Sequence, residues 1–326
     1  MSNAEPTTPQ EWRALTSMRS PTEERNPRTM DLDTLPATEI IERILAEDAS
    51  VLARVQALSP QIGALAEACV TAIDAGGTVH YVGAGTSGRL AVLDAVELAP
   101  TYNAGPEYFT AHLAGGADAM LVSAEGLEDS EAAGATLVEE CGAHDVVIGL
   151  AASGRTPYVR GAMAAARARG LVTGLVSANP HAELAELADH PILTDTGPEA
   201  VTGSTRMKAA TAQKLVLNAL STATMVRLGK TYSNLMIDVR ATNQKLIART
   251  VRMLVQATDV DVDTADATLR AAHGNVRVAL VALLSGVGAG GVHLAEAALD
   301  RHPTDPGRVG DAAGIRAAVQ EVEAGS

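Results

Sequence analysis

Two glycine-rich loops carry small hydroxyls in a pattern suited to holding an anion. Gly83-Ala84-Gly85-Thr86-Ser87-Gly88-Arg89 directly follows the β-prone run ending in Tyr81-Val82. Ala151-Ala152-Ser153-Gly154-Arg155-Thr156 directly follows the apolar run 146–150. Each loop ends a predicted parallel strand and opens a predicted helix, where open α/β sheets bind ligands. Glycine lets backbone amides approach an anion closely, and a helix N-terminus adds partial positive charge. Hydroxyls at Thr86, Ser87, Ser153 and Thr156 supply further donors. One such loop is most often a turn and a cap. Two of one kind, on strands that could be neighbours, point to a phosphate.

Other chemistries fit less well. Neither loop is GxxxxGK[ST], which argues against a Walker-type nucleotide site. Residues 83–88 do match GxGxxG, but no acidic residue closes the next strand to take a ribose hydroxyl. None of the eight histidines falls in an HxH or HxxxH pattern, so no metal is expected. Cys69 and Cys141 lack CxxC spacing and read as buried free thiols of a reducing cytoplasm. A net charge of −14 disfavours nucleic acid and anionic membrane surfaces. It leaves room for a phosphorylated small molecule held by local N–H groups. No apolar run reaches the ~18 residues of a membrane span, and no signal-peptide pattern opens the chain.

The elements that must position these loops follow from periodicity. Apolar residues at helical spacing predict helices over 38–58 and 62–75, the second closed by Gly76-Gly77. Five β-rich runs follow, at 78–83, 108–113, 146–150, 172–177 and 192–194. Their alternation with helical stretches predicts an α/β domain: a five-stranded parallel sheet in flavodoxin-like order with helices on both faces. Long helices are expected at 204–228 and 233–256, and three short ones at about 263–271, 276–285 and 291–300. The expected layout is a flexible segment 1–28, a main domain 29–260 with its core at about 66–230, a small three-helix unit 262–302, and a tail 303–326. That tail is expected to be mobile apart from a short helix near 312–322. With 47% hydrophobic but 2% aromatic residues, Ala, Val and Leu must fill the core.

Six segments together resemble the N-acetylmuramic acid 6-phosphate etherases, a family built on the sugar-isomerase (SIS) domain. They are TEERNPRTMDLD (22–33), GAGTSGRL with Leu93-Asp94-Ala95 and Glu97, AEGLEDS (124–130), AASGRTPYV (151–159), GPEAVTGSTRMKAATAQKLVLN (197–218) and LGKTYSNLMIDVRATNQKL (228–246). The GSTRMKA run is shared with glucokinase regulatory protein, so only the combination is specific. One departure is Ala210, where the family usually has glycine; an extra methyl at a helix start reads as neutral for activity.

The resemblance implies a cofactor-free lyase reaction that cleaves the D-lactyl ether of N-acetylmuramic acid 6-phosphate, giving N-acetylglucosamine 6-phosphate and D-lactate in cell-wall recycling. Proton removal at C2 beside the open-chain aldehyde, loss of the C3 ether oxygen and addition of water need two proton-transfer steps. It casts Glu97 as proton donor and Glu128 as partner acid/base. The context AVLDAVELAP suggests partial burial and a raised pKa for Glu97. Ser204, Arg206 and Lys208 are further candidates for donors or charge near the sugar. Ser87 and Glu97 are ten residues apart, ~15 Å along one helix, more than a hexose 6-phosphate spans from phosphate to C3. Either that helix starts late or the site is completed across a homodimer, as SIS domains pair through their helices. The resemblance also implies a ubiquitin-associated-like fold for 262–302. The competing readings are another SIS sugar-phosphate isomerase and a non-enzymatic sugar-phosphate sensor. The absence of a glutaminase domain, of a basic helix-turn-helix and of a second SIS copy weighs against them.

Overall fold

The computed structural model of the chain describes residues 20–122, 126–239 and 244–325. Most of the expected flexible segment, the start of AEGLEDS and residues 240–243 of the last signature lie outside them. The chain folds as two compact units, one of residues up to 96 with 106–221, the other of 97–105 with 222–326.

In the first unit, α1 (Ala37–Asp48), α2 (Val51–Ala57) and α3 (Ser59–Asp74) precede the sheet. The single helix expected over 38–58 is broken: Ser50 Oγ donates to the Glu47 carbonyl at 3.0 Å, a local bond that competes with the helical one. Then come β1 (Val79–Gly83), α4 (Gly85–Tyr102), β2 (Phe109–Leu113), α5 (Glu131–Leu137), β3 (Val146–Leu150), α6 (Pro157–Ala168), β4 (Val172–Ser177), β5 (His190–Leu193) and α7 (Lys208–Arg227), with the ends of α4 and α7, from 97 and from 222, counted in the second unit. The five strands pair in parallel in the order β2-β1-β3-β4-β5, the flavodoxin-like order expected. All five β3 residues are buried, as a central strand covered on both faces requires.

This order makes β1 and β3 neighbours, with Gly83 opposite Leu150. Their carboxyl ends, and the two loops that follow, therefore stand side by side. The first loop is tight: a Cβ on Gly88 would lie 2.6 Å from the Gly83 carbonyl oxygen. Gln213 on α7 donates to the Ser87 carbonyl at 3.0 Å and pins the same turn. The crossing of α5 on α6 is equally close, since Cβ atoms on Gly134 and Gly161 would each stand 1.9 Å from a carbonyl oxygen of the other helix. That contact fixes the turn carrying Glu128 near the start of α6.

The second unit has a two-stranded antiparallel hairpin, β6 (Thr231–Tyr232) and β7 (Leu235–Met236), then α8 (Gln244–Thr258), α9 (Val262–Ala271), α10 (Val276–Leu284), α11 (Val292–Arg301) and α12 (Ile315–Gly325). The hairpin replaces the start of the helix expected over 233–256; Ser233 takes a positive φ of 51° in the two-residue turn. The apolar core is wider than 262–302. It includes Ile237, Val251 and Leu254 before that span and Ile315, Ala318 and Val322 after it. The tail is thus packed: Asp305 N–H donates to the Ala312 carbonyl at 2.9 Å, and Ile315 is fully buried. Among the described residues, no single helix is long and apolar enough to cross a membrane.

Candidate functional site

A cavity of about 450 Å³ opens at the carboxyl ends of β1 and β3. Its volume lies within the usual range for small-molecule sites. Thr86 and Ser87 of the first loop and Ser153 and Thr156 of the second line it together, as does Glu128. Thr86 and Ser87 occupy the first turn of α4, where backbone N–H groups have no partner within the helix. Thr156 stands at the N-cap of α6, yet its side chain makes no capping bond. The second loop is braced from behind: Ser177 Oγ donates to the Ala152 carbonyl at 3.1 Å and Asn179 Nδ2 to the Ser153 carbonyl at 3.0 Å. The four residues line one space at the N-termini of two helices, an arrangement that can hold a phosphate.

Not every sequence candidate is there. Gly154 shapes the loop and does not line the cavity: its φ is +72°, its N–H donates to the Ala151 carbonyl at 3.0 Å and its own carbonyl accepts from Leu184. Ser204 lies in a turn, with its N–H on the Val201 carbonyl at 2.9 Å, and Thr205 takes the lining position beside it. Arg206 is exposed.

Lys208 is buried and serves the interior. Its Nζ donates to Glu47 Oε2 at 2.8 Å. Asn26 donates to the same oxygen at 2.8 Å, and Arg28 completes the cluster around Glu47. These partners, Arg28 foremost, hold the Glu47 carboxyl down at about 2, against the opposing effect of burial. Glu199, fully buried, accepts the N–H groups of Lys208 and Ala209 at 2.9 Å each and so caps α7. The helix therefore starts at Lys208 instead of 204.

Glu97 lies on α4, which begins at Gly85 and runs unbroken to Tyr102. A late helix start is thereby removed, and Ser87 and Glu97 remain ~15 Å apart along one axis. The expected partial burial of Glu97 is not found. Ala91, Ala95, Leu98 and Tyr102 take the buried stripe, and Glu97 is exposed beside Leu93 and Val96. Four polar lining residues were not among the site candidates: Glu23, Asp129, Arg155 and Thr205. All fall inside the quoted signatures, which was the available signal. Ala210, the departure from the family pattern, also lines the cavity.

Folding also groups side chains that spacing did not. His80 Nε2 lies 2.9 Å from Asp145 Oδ2, its Nδ1 lies 2.9 Å from His112 Nε2, and Cys141 is close enough to make a potential metal-ligand set. Asp145 also accepts the N–H groups of Thr78 and Gly142, so its oxygens are already satisfied by the protein. Burial, then His80, pulls the His112 pKa down to about 4, keeping it neutral as a hydrogen-bonding link.

A parallel five-stranded sheet in this order, with paired glycine-rich loops at its carboxyl edge, is the fold of a sugar-isomerase-type (SIS) domain. Residues 61–167 match the model of the glucokinase regulatory protein N-terminal SIS domain. The chain is 48% identical over 267 residues to N-acetylmuramic acid 6-phosphate etherase 2 of Vibrio cholerae serotype O1, covering 81% of this chain and 87% of that protein. It is 48% identical to the N-acetylmuramic acid 6-phosphate etherase of Thermobifida fusca, covering 82% of this chain and 88% of that protein. A solved phosphoheptose isomerase from Francisella tularensis overlays with a TM-score of 0.45 at 18% identity, covering 59% of this chain and all of that one. The chain belongs to the N-acetylmuramic acid 6-phosphate etherase family.

Proposed function

We propose that this protein is a lyase that cleaves the D-lactyl ether of N-acetylmuramic acid 6-phosphate during peptidoglycan recycling. The observation that carries this reading is that both hydroxyl loops and Glu128 line one cavity. They do so in a chain 48% identical to named etherases over four fifths of its length. The first-turn amides of α4 and the hydroxyls of Ser87, Ser153 and Thr156 bind the phosphate. The open-chain sugar then lies toward Glu128. A carboxylate takes the C2 proton, made acidic by the adjacent C1 aldehyde. The C3–O bond breaks and the departing oxygen is protonated, leaving as the hydroxyl of D-lactate. Water then adds at C3 of the unsaturated aldehyde, and C2 is reprotonated. Two carboxylates suffice for these transfers.

Glu128 is one of them, and Glu97 is the other, supplied by the second subunit of a homodimer. Two features support that assignment: the ~15 Å separation of Ser87 and Glu97 along α4, and the 41% and 57% exposure of Leu93 and Val96 beside Glu97. Exposed apolar residues next to a functional carboxylate suit a subunit contact. Two buried free cysteines suit a cytoplasmic location. The test is to incubate the purified protein with N-acetylmuramic acid 6-phosphate and measure D-lactate enzymatically. Stoichiometric lactate is expected. Isomerised sugar phosphate without lactate would favour the isomerase reading, and an unchanged substrate would favour the sensor.

A further inference from the structure

Glu23 is a cavity residue that the reaction above leaves unused. Its backbone is held firmly. Thr22, fully buried, accepts the Gly203 N–H on its carbonyl at 2.9 Å, and Glu23 N–H donates to the Ser20 carbonyl at 3.0 Å. Asn26 and Thr29 tie the same segment to the Pro198 and Ala200 carbonyls at 3.2 and 2.8 Å. Gly203 has a φ of +75°, and a Cβ there would stand 3.0 Å from Glu23 Oε2. The carboxylate therefore lies over a residue that itself lines the cavity.

The other glutamates of this region differ. Glu47 and Glu199 are buried and fully engaged with protein donors. Glu23 is exposed, and among the described residues its carboxylate has no hydrogen-bond or ion-pair partner. The cavity is lined by three carboxylates, Glu23, Glu128 and Asp129, against one guanidinium, Arg155, which is itself paired with Glu183. A phosphate cannot sit against Glu23 in such a field. What an unpaired carboxylate on a held backbone can accept from a sugar phosphate is a neutral donor, a hydroxyl or an amide N–H.

We infer that Glu23 determines specificity by accepting hydrogen bonds from neutral donors of the sugar, its hydroxyls or its acetamido N–H, clear of the phosphate. This rests on the sugar-phosphate reading of the cavity. The test is isothermal titration of wild type, Glu23→Gln and Glu23→Ala with N-acetylglucosamine 6-phosphate and, separately, with inorganic phosphate. Loss of hydrogen bonds to a charged acceptor should weaken sugar-phosphate binding ~10-fold or more in Glu23→Ala and by less in Glu23→Gln. Affinity for inorganic phosphate should hold or rise, because an anion has been removed. Unchanged sugar-phosphate binding in both variants would overturn the inference. So would an equal loss for both ligands, which marks a structural role. A wild type that binds neither ligand would instead overturn the reading of the cavity itself.

Discussion

Ser153 shows how a single hydroxyl divides binding from structure. Its carbonyl is braced by Asn179 while its side chain lines the cavity. Ser153→Ala should therefore leave the fold intact and weaken substrate binding by ~1–3 kcal/mol, read as a raised KM with little change in kcat. An unchanged KM would remove the hydroxyl from the phosphate site. Glu128→Gln should do the reverse, lowering kcat ~10²-fold or more while binding persists, the scale expected for loss of a general acid or base. Near-normal turnover would assign the proton transfer elsewhere. The hydroxyl loops were legible only as a pair: one such loop after a β-run most often makes a turn and a cap, whereas two on neighbouring strands line one cavity. Lys208 was not. A lysine in a Gly-Ser-Thr-Arg-Met-Lys run reads as a ligand for an anion until the fold brings Glu47, distant in sequence, within 2.8 Å of it. The expected burial of Glu97 was not met for a related reason: an apolar context gives the composition of a helix, whereas its phase decides which side is buried.

At the level of elements, the site depends on where α7 begins. Glu199 caps that helix, and the Glu47–Lys208 pair anchors its first residue beneath the loop carrying Gly203 and Thr205. Glu47→Ala would leave the Lys208 ammonium buried without its partner and should cost about 3–5 kcal/mol in denaturant unfolding. A loss below 1 kcal/mol would show that the cluster is not holding the helix. The same group gives an acid limb. Its folded pKa of about 2 is depressed from an ordinary 4.5. Its contribution is present above pH 4.5 and is lost as pH falls toward 2, and the variant should lack that part of the pH dependence. The sheet was legible strand by strand because β3 is a nearly continuous apolar run and the other strands are short β-rich runs between helical stretches or turn signals. The break between α1 and α2 and the β6–β7 hairpin were not. One rests on a serine bonding back to its own helix, the other on two-residue strands too short for periodicity to register.

For the whole molecule, the proposed homodimer makes the site a shared one. If Glu97 and Glu128 act from different subunits, mixing inactive Glu97→Gln and Glu128→Gln chains should restore activity. A mixed dimer has one intact site of two, so random exchange should return about a quarter of wild-type turnover. No recovery after verified exchange would place both carboxylates in one chain, and a monomer by light scattering would remove the arrangement altogether. The exposed Ile41, Leu45 and Leu52 give α1 and α2 a second unpartnered apolar face, which no single-chain reading of their helical periodicity could assign. The short helix expected near 312–322 is present as α12, but a polar, glycine-rich lead-in hides that its stripe of Ile315, Ala318 and Val322 joins the second unit's core. In the cavity of Ser87, Ser153 and Glu128 the proposed reaction is elimination followed by hydration. Its most direct test is mass spectrometry of both products formed from N-acetylmuramic acid 6-phosphate in ¹⁸O-labelled heavy water. The sugar phosphate should gain one solvent oxygen at C3 and solvent deuterium at C2, while lactate keeps the original ether oxygen unlabelled. Solvent oxygen in lactate, or a sugar with no deuterium at C2, would contradict it.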